Sequence, residues 1–257
     1  MNHRAHRAPS LLLALVLLGG AALSGCTGED PEATRGEVTS SSGEPPSSAE
    51  PPSAKSPAAS IGAVPNAQWN KMVETGMVRP GCPVTRRAQL RRVDLPYIDF
   101  AGETQRGHII VHRDTAESVS RIFMLLYEQG FPIASMQGVE NYGGDSNASL
   151  KDNNTAAYNC RRLDQINAPP TESPHANGRA VDINPLQNPW MDLRCKCWSP
   201  SPENKKRTPG PGKITRKDEE WQAFKNEGWI WQNIKVPDYM HFDTGYPSAP
   251  LKAPQER

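Results

Sequence analysis

The rhythm of apolar positions changes several times along the chain. Residues 11–23, LLLALVLLGGAAL, form an apolar run behind Arg4 and Arg7. That run has the length of a signal-peptide core and is too short for a comfortable membrane span. Periodicity then disappears until LPYIDFAG (95–102) and GHIIVH (107–112), which read as two strands around a polar turn with Gly102. TAESVSRIFMLLYEQG follows at 115–130. Its Val119, Ile122, Phe123 and Leu126 share one helical face, Asp114 stands at the N-cap with Glu117 three residues later, and Gly130 ends the run. FPIASMQGV (131–139) reads as a further strand, RKDEEWQAFKNEGW (216–229) as a helix with Trp221 and Phe224 on one face and Gly228 at its end, and YMHFDTGY (239–246) as a strand around His241. Strands and helices mix without regular βαβ alternation, so the expected class is α+β.

Composition adds the domain organisation. The chain has 257 residues and a net charge of +1, which argues against a general nucleic-acid binder. Only 36% of residues are hydrophobic and 25 are proline, so part of the chain stays outside a packed core. LSGC (23–26) resembles a bacterial lipobox, with Cys26 the lipidated residue. Residues 1–26 are thus expected to be a lipoprotein signal, 27–67 a disordered Pro/Ser/Glu-rich tether, 68–248 the folded domain and 249–257 a tail. This arrangement implies export and a lipid anchor on the outer face of the cytoplasmic membrane. With Cys26 lipidated, Cys82, Cys160, Cys195 and Cys197 remain for an oxidising compartment. The preferred bridge is Cys82–Cys160, with Cys195 and Cys197 pairing locally or staying reduced. Either of these two is also an alternative partner for Cys82 or Cys160.

Candidate chemistry rests on four histidines beyond the leader. His108 and His112 share a strand face and read as ordinary polar residues, or one of them as a hydrogen-bonded support of a site. The other two sit in less ordinary surroundings. In SPHANGRAVDINP (173–185), His175 and Asp182 lie seven apart, with Gly178 permitting a tight backbone path. In DYMHFD, His241 follows Asp238 by three. Two imidazoles and a carboxylate suit a divalent cation with an open position for water, and Asp238 is placed to act as the base.

These two motifs resemble the signatures of the D-alanyl-D-alanine carboxypeptidase-like zinc metallopeptidases, Ser-x-His-x-x-Gly-x-Ala-x-Asp and an acid three before a final His. The resemblance extends through GCPV, VHRDTAESV, GFPI, YGGD, DNNTAAYNCR and GWIWQN, and so over most of 80–245. It implies the compact α+β fold shared with the hedgehog N-terminal domain. It further implies Zn²⁺ held by His175, Asp182 and His241, and Asp238 as general base. An arginine would hold a substrate carboxylate or oxyanion, and the match to NCR favours Arg161 over Arg162. Ser173 would be a substrate-side hydroxyl or a turn residue. The implied substrate is a peptidoglycan stem peptide, cut by a D,D-carboxypeptidase or an L,D- or D,L-endopeptidase. Residues 191–213 depart from the pattern as a Cys-, Pro- and Lys-containing insertion after the first motif.

Two other readings compete. One is a zinc-containing wall-binding module of the same fold that does not hydrolyse; retention of Asp238 and an upstream arginine argues against it. The other is a non-haem iron oxygenase, which shares a two-His-one-carboxylate triad. Such enzymes bring the first His and the acid closer than seven residues, and export disfavours soluble Fe(II).

Overall fold

A computed structural model describes residues 57–162, 169–231 and 235–252; the leader, Cys26 and the tether as far as residue 56 lie outside the described residues. The order is β1 (Ser60–Gly62), α1 (Asn66–Glu74), β2 (Leu90–Ile98), β3 (Thr104–His112), α2 (Ala116–Glu128), β4 (Ser135–Met136), α3 (Ser146–Lys151), β5 (Asn154–Thr155), β6 (Ala180–Asp182), β7 (Trp190–Asp192), β8 (Cys197–Ser199), α4 (Glu219–Asn226), β9 (Ile230–Trp231) and β10 (His241–Asp243). The class is α+β. All strand pairs are antiparallel except β4 with β5. The sheets run β1-β2-β3 and β6-β10-β9, with β4-β5 and β7-β8 as two-stranded pairs.

The β2–β3 ladder is the backbone of the domain, pairing Leu90 with His112 through to Ile98 with Thr104. Its alternation serves two apolar clusters. Val93, Leu95, Ile109 and Val111 meet the α2 face of Val119, Ile122, Phe123 and Leu126, together with Val181, Phe224, Trp229 and Phe242. Leu90 and Ile110 join the other cluster, with Met72, Met77, Tyr158, Cys82 and Cys160. Each fully buried side chain of this size contributes about 1.5–3 kcal/mol of transfer free energy. Phe224 stacks on Phe242 with centroids 3.9 Å apart, so α4 rests directly on the middle residue of β10.

Several local expectations change. Ser60–Gly62, expected within the tether, forms β1 and pairs with Asp94–Arg92 of β2. Its one large apolar residue, Ile61, packs on the core and outweighs the polar composition around it. Strand β2 starts at Leu90 and not at Leu95, because the charges of Arg91, Arg92 and Asp94 alternate with core residues. Helix α2 has Thr115 as its N-cap, with no side-chain cap bond. The Asp114 carboxylate is engaged instead by Arg179, at 2.7 Å, and by His112, at 2.6 Å. Of 131–139 only Ser135–Met136 is strand.

Cys82 and Cys160 are bonded, with Cα atoms 6.1 Å apart across a separation of 78 residues, and Cys195 is bonded to Cys197. The first bond closes a long loop between α1's neighbourhood and the strand-like segment that leads to Arg161. Removing it restores the loop's freedom in the unfolded chain. The Cys82→Ala/Cys160→Ala protein is therefore expected to lose about 2–5 kcal/mol of unfolding free energy in a denaturant titration. An unchanged midpoint and slope would show that the bond contributes nothing to stability.

Candidate metal centre

The 173–185 stretch folds as a tight turn followed by a short strand. Asn177 N–H donates to Ser173 O, Gly178 N–H to His175 O and Arg179 N–H to Pro174 O. Gly178 is required twice over: its φ is +70°, and a Cβ there would lie 2.6 Å from His112 N. That close approach lets His112 N–H donate to Gly178 O at 2.7 Å, which seats the turn on the end of β3. Strand β6 then runs three residues and stops at Asn184, whose φ is +43°. The Asn184 side chain accepts from Ala134 N–H and donates to Pro132 O and Gly212 O. The Ile-Asn-Pro ending thus closes a strand and ties three loops together.

Strand β10 lies antiparallel to β6, with His241 directly opposite Asp182 and Phe242 opposite Val181. Opposed residues on neighbouring strands have adjacent side chains. Val181 and Phe242 point to the core, so Asp182 and His241 share the other face. His175 reaches the same point from the turn. His175 Nε2 lies 3.1 Å from His241 Nδ1 and 3.2 Å from Asp182 Oδ2, and His241 Nδ1 lies 3.1 Å from Asp182 Oδ1. All three residues are buried.

The outer edges of both rings decide what fits between them. His175 Nδ1 donates to Ala157 O at 2.7 Å, and His241 Nε2 donates to Asp243 Oδ2 at 2.9 Å. Each neutral ring therefore carries its proton outward and turns a bare lone pair inward. Two lone pairs and a carboxylate converge at hydrogen-bonding distance with no donor between them. Two further facts favour a cation there. Asp182 and Asp243 are both buried, at 7% and 0% exposure, so negative charge is concentrated where water cannot screen it. Ligand atoms around a tetrahedral ion with bonds near 2.0 Å stand about 3.3 Å apart, close to the spacing found. The donor set fits a divalent metal ion.

Burial opposes charge on His241, but the hydrogen bonds to Asp182 and Asp243 outweigh it and hold the imidazole well above its usual value. Burial pushes His175 down. Burial also opposes charge on Asp182, yet the two histidines overcome it and hold the carboxyl well below the usual range.

The remaining expected residues surround this cluster unevenly. Arg161 Nη2 lies 3.3 Å from Asp182 Oδ2, and its buried Nε has no partner; Arg162 is exposed. A small, partly open cleft lies beside the cluster, lined among others by Asn154, Asn159, Arg161, His175 and Asp182. Asp238 keeps part of its residue surface open, but its Oδ1 is buried without a hydrogen-bond partner. Burial pushes its carboxyl up to about 7, against the pull of His241. The Ser173 hydroxyl accepts from Ala176 N–H at 3.4 Å, as a turn residue does. His108 contacts Gln68 at 2.9 Å, away from the cluster. His112 supports Asp114 and Arg179 in the motif turn. Asp243 was not expected from the sequence, although residues two apart on a strand share a face.

Fold and cluster together define an α+β domain with a buried cluster of three side chains of the kind that can hold a metal ion. A family model described as D-alanyl-D-alanine carboxypeptidase matches residues 167–244, a stretch that contains His175, Asp182, Asp238 and His241. The match covers the stretch that holds both motifs and the whole cluster, and over that stretch the chain is similar to a peptidase family. The motifs upstream of 167 lie outside the matched stretch. No curated protein and no solved structure matches the chain.

Two outcomes follow from the geometry. Binding a metal ion displaces the His241 proton, so affinity should rise with pH below the raised imidazole value, by about tenfold per pH unit where one proton is released. Competition titrations of the metal-free protein between pH 6 and 8 read this slope, and a flat profile would contradict the shared-site reading. Asp243→Asn leaves all three inner atoms in place but weakens the outer bond that orients His241. It should cost about 10–100-fold in metal affinity, measured against the parent at one pH.

Proposed function

We propose that the chain is a zinc peptidase of peptidoglycan stem peptides, acting as a D,D-carboxypeptidase or as an L,D- or D,L-endopeptidase. The observation that carries this reading is the pair of outward-tied imidazoles, which leaves two bare nitrogens and Asp182 facing one point beside a cleft. Held by His175, Asp182 and His241, Zn²⁺ would supply a Lewis acid for the scissile carbonyl and for a water. Asp238 would accept the proton of the attacking water and return it to the departing amine. A base whose value is pushed up to about 7 is matched to proton transfer near neutral pH. Arg161 grips the peptide's terminal carboxylate, for which its unpartnered buried Nε provides a free donor. Asp243 and the Ala157 carbonyl keep the rings oriented through the cycle. The lipidated Cys26 and the tether hold the domain at the outer face of the cytoplasmic membrane, within reach of the wall.

Asp238→Asn separates chemistry from folding, because it preserves shape and removes the proton acceptor. Metal content and thermal stability are expected to stay near those of the parent. Hydrolysis of a defined stem pentapeptide should fall about 10²–10⁴-fold, read by mass spectrometry of the products. The parent's rate should climb as pH rises and Asp238 loses its proton, and the variant should lose that limb. A variant as fast as the parent would remove Asp238 from the mechanism. A parent that binds muropeptides without cutting them would favour the binding-module reading.

A further inference from the structure

The insertion at 191–213 packs against the segment that carries Asp238. Strands β7 and β8 make an antiparallel hairpin with Trp190 opposite Ser199 and Asp192 opposite Cys197. The Cys195–Cys197 bond crosses its tip, where Lys196 has φ +54°. The other edge of β7 lies against the segment that carries Asp238. Trp190 and Asp238 form an antiparallel bridge, flanked by Met191 N–H donating to Pro237 O at 2.8 Å and Tyr239 N–H to Pro189 O at 3.3 Å.

Side chains tighten the same joint. The Trp198 ring stacks on Tyr239 with centroids 5.5 Å apart and planes 13° apart. The Arg207 guanidinium lies 4.4 Å from the Tyr239 ring centroid. Arg207 is itself anchored, donating to Gln187 O at 2.7 Å and to Asn188 Oδ1 at 2.6 Å. Trp231 Nε1–H donates to Tyr239 O at 3.0 Å. Tyr239 is thus held at its ring by Trp198 and Arg207, and at its carbonyl by Trp231. Its neighbour Asp238 has no hydrogen bond at Oδ1. The position of that oxygen therefore comes from the backbone, and the backbone is set by the hairpin and by the grip on Tyr239.

We propose that the Trp190–Ser199 hairpin, closed by the Cys195–Cys197 bond, is a positioning clamp in which Trp198 and Arg207 grip Tyr239 and so fix Asp238 beside the metal cluster. The proposal deepens the peptidase reading and rests on it for its kinetic consequence, but the clamp itself is a property of the fold. Trp198, Arg207 and Tyr239 are positioning residues. A misplacement of about 1 Å at a reacting group is enough to cost up to 10²-fold in rate, so a stack one residue away from Asp238 has leverage on turnover with little on substrate binding.

The test uses the full chain loaded with zinc, as parent, Trp198→Ala, Trp198→Phe and Cys195→Ser/Cys197→Ser. Metal content, kcat and KM on a defined stem pentapeptide, and amide hydrogen exchange over 237–241 are measured for each. Trp198→Ala is expected to keep its metal and its KM, to lose about tenfold in kcat, and to exchange about tenfold faster over 237–241, on the scale of a lost aromatic stack. Trp198→Phe should restore both, and the double serine variant should show the faster exchange. Unchanged exchange and kcat in Trp198→Ala would overturn the clamp. So would loss of metal in that variant, or a defect that Trp198→Phe leaves in place, since either marks a general structural role. A parent that cuts no stem peptide would defeat the peptidase reading, and the exchange difference between parent and Trp198→Ala would then decide the clamp alone.

Discussion

The pairing of β6 with β10 is the constraint on which the site depends. It brings Asp182 and His241, separated by 59 residues in sequence, to directly opposed positions on two strands. The same register sends Val181 and Phe242 to the core, so the apolar residues that stabilise the sheet also fix which face the ligating residues occupy. A one-residue slip would exchange the two sets. The core therefore enforces the site: Phe242 cannot stay stacked on Phe224 unless His241 and Asp243 face the other way.

That arrangement concentrates a cost at one point. Buried carboxylates and inward lone pairs are unfavourable without a positive partner. In the protein alone, the hydrogen bonds to Asp182 and Asp243 favour the charged imidazole of His241. A metal ion bound there would be the stronger partner, and its binding free energy would add to the stability of the fold. The Cys82–Cys160 bond and the β2–β3 ladder hold the surrounding framework, while Asn184 and Asn188 tie the loops behind the first motif through Gly212 O.

What the sequence discloses follows the range over which each signal acts. His175, Asp182 and His241 stand in short motifs whose residue types and spacings are local, and the fold brings these three together. Helix α2 is legible because its apolar face repeats locally, but its cap is not: Asp114 is drawn to Arg179, 65 residues away. Strand β1 hides in a polar stretch because a single residue, Ile61, carries its packing. Asp243 had a local signal, its place two residues beyond His241 on a strand. The β7–β8 hairpin had almost none. Its Cys, Lys and Pro content reads as loop, and its role arises from contacts with Tyr239 and Asp238 some 40 residues later, which only the folded chain reveals.

The central claim is that His175 Nε2, His241 Nδ1 and an Asp182 oxygen together hold one metal ion. Anomalous diffraction at the zinc edge, from crystals grown with one equivalent of zinc, tests it most directly. The account predicts a single strong peak about 2.0–2.2 Å from each of the three atoms, with His175 Nδ1 still on Ala157 O and His241 Nε2 still on Asp243. A structure with no peak between these side chains, or with zinc held elsewhere while His241 remains bonded to Asp182, would contradict it.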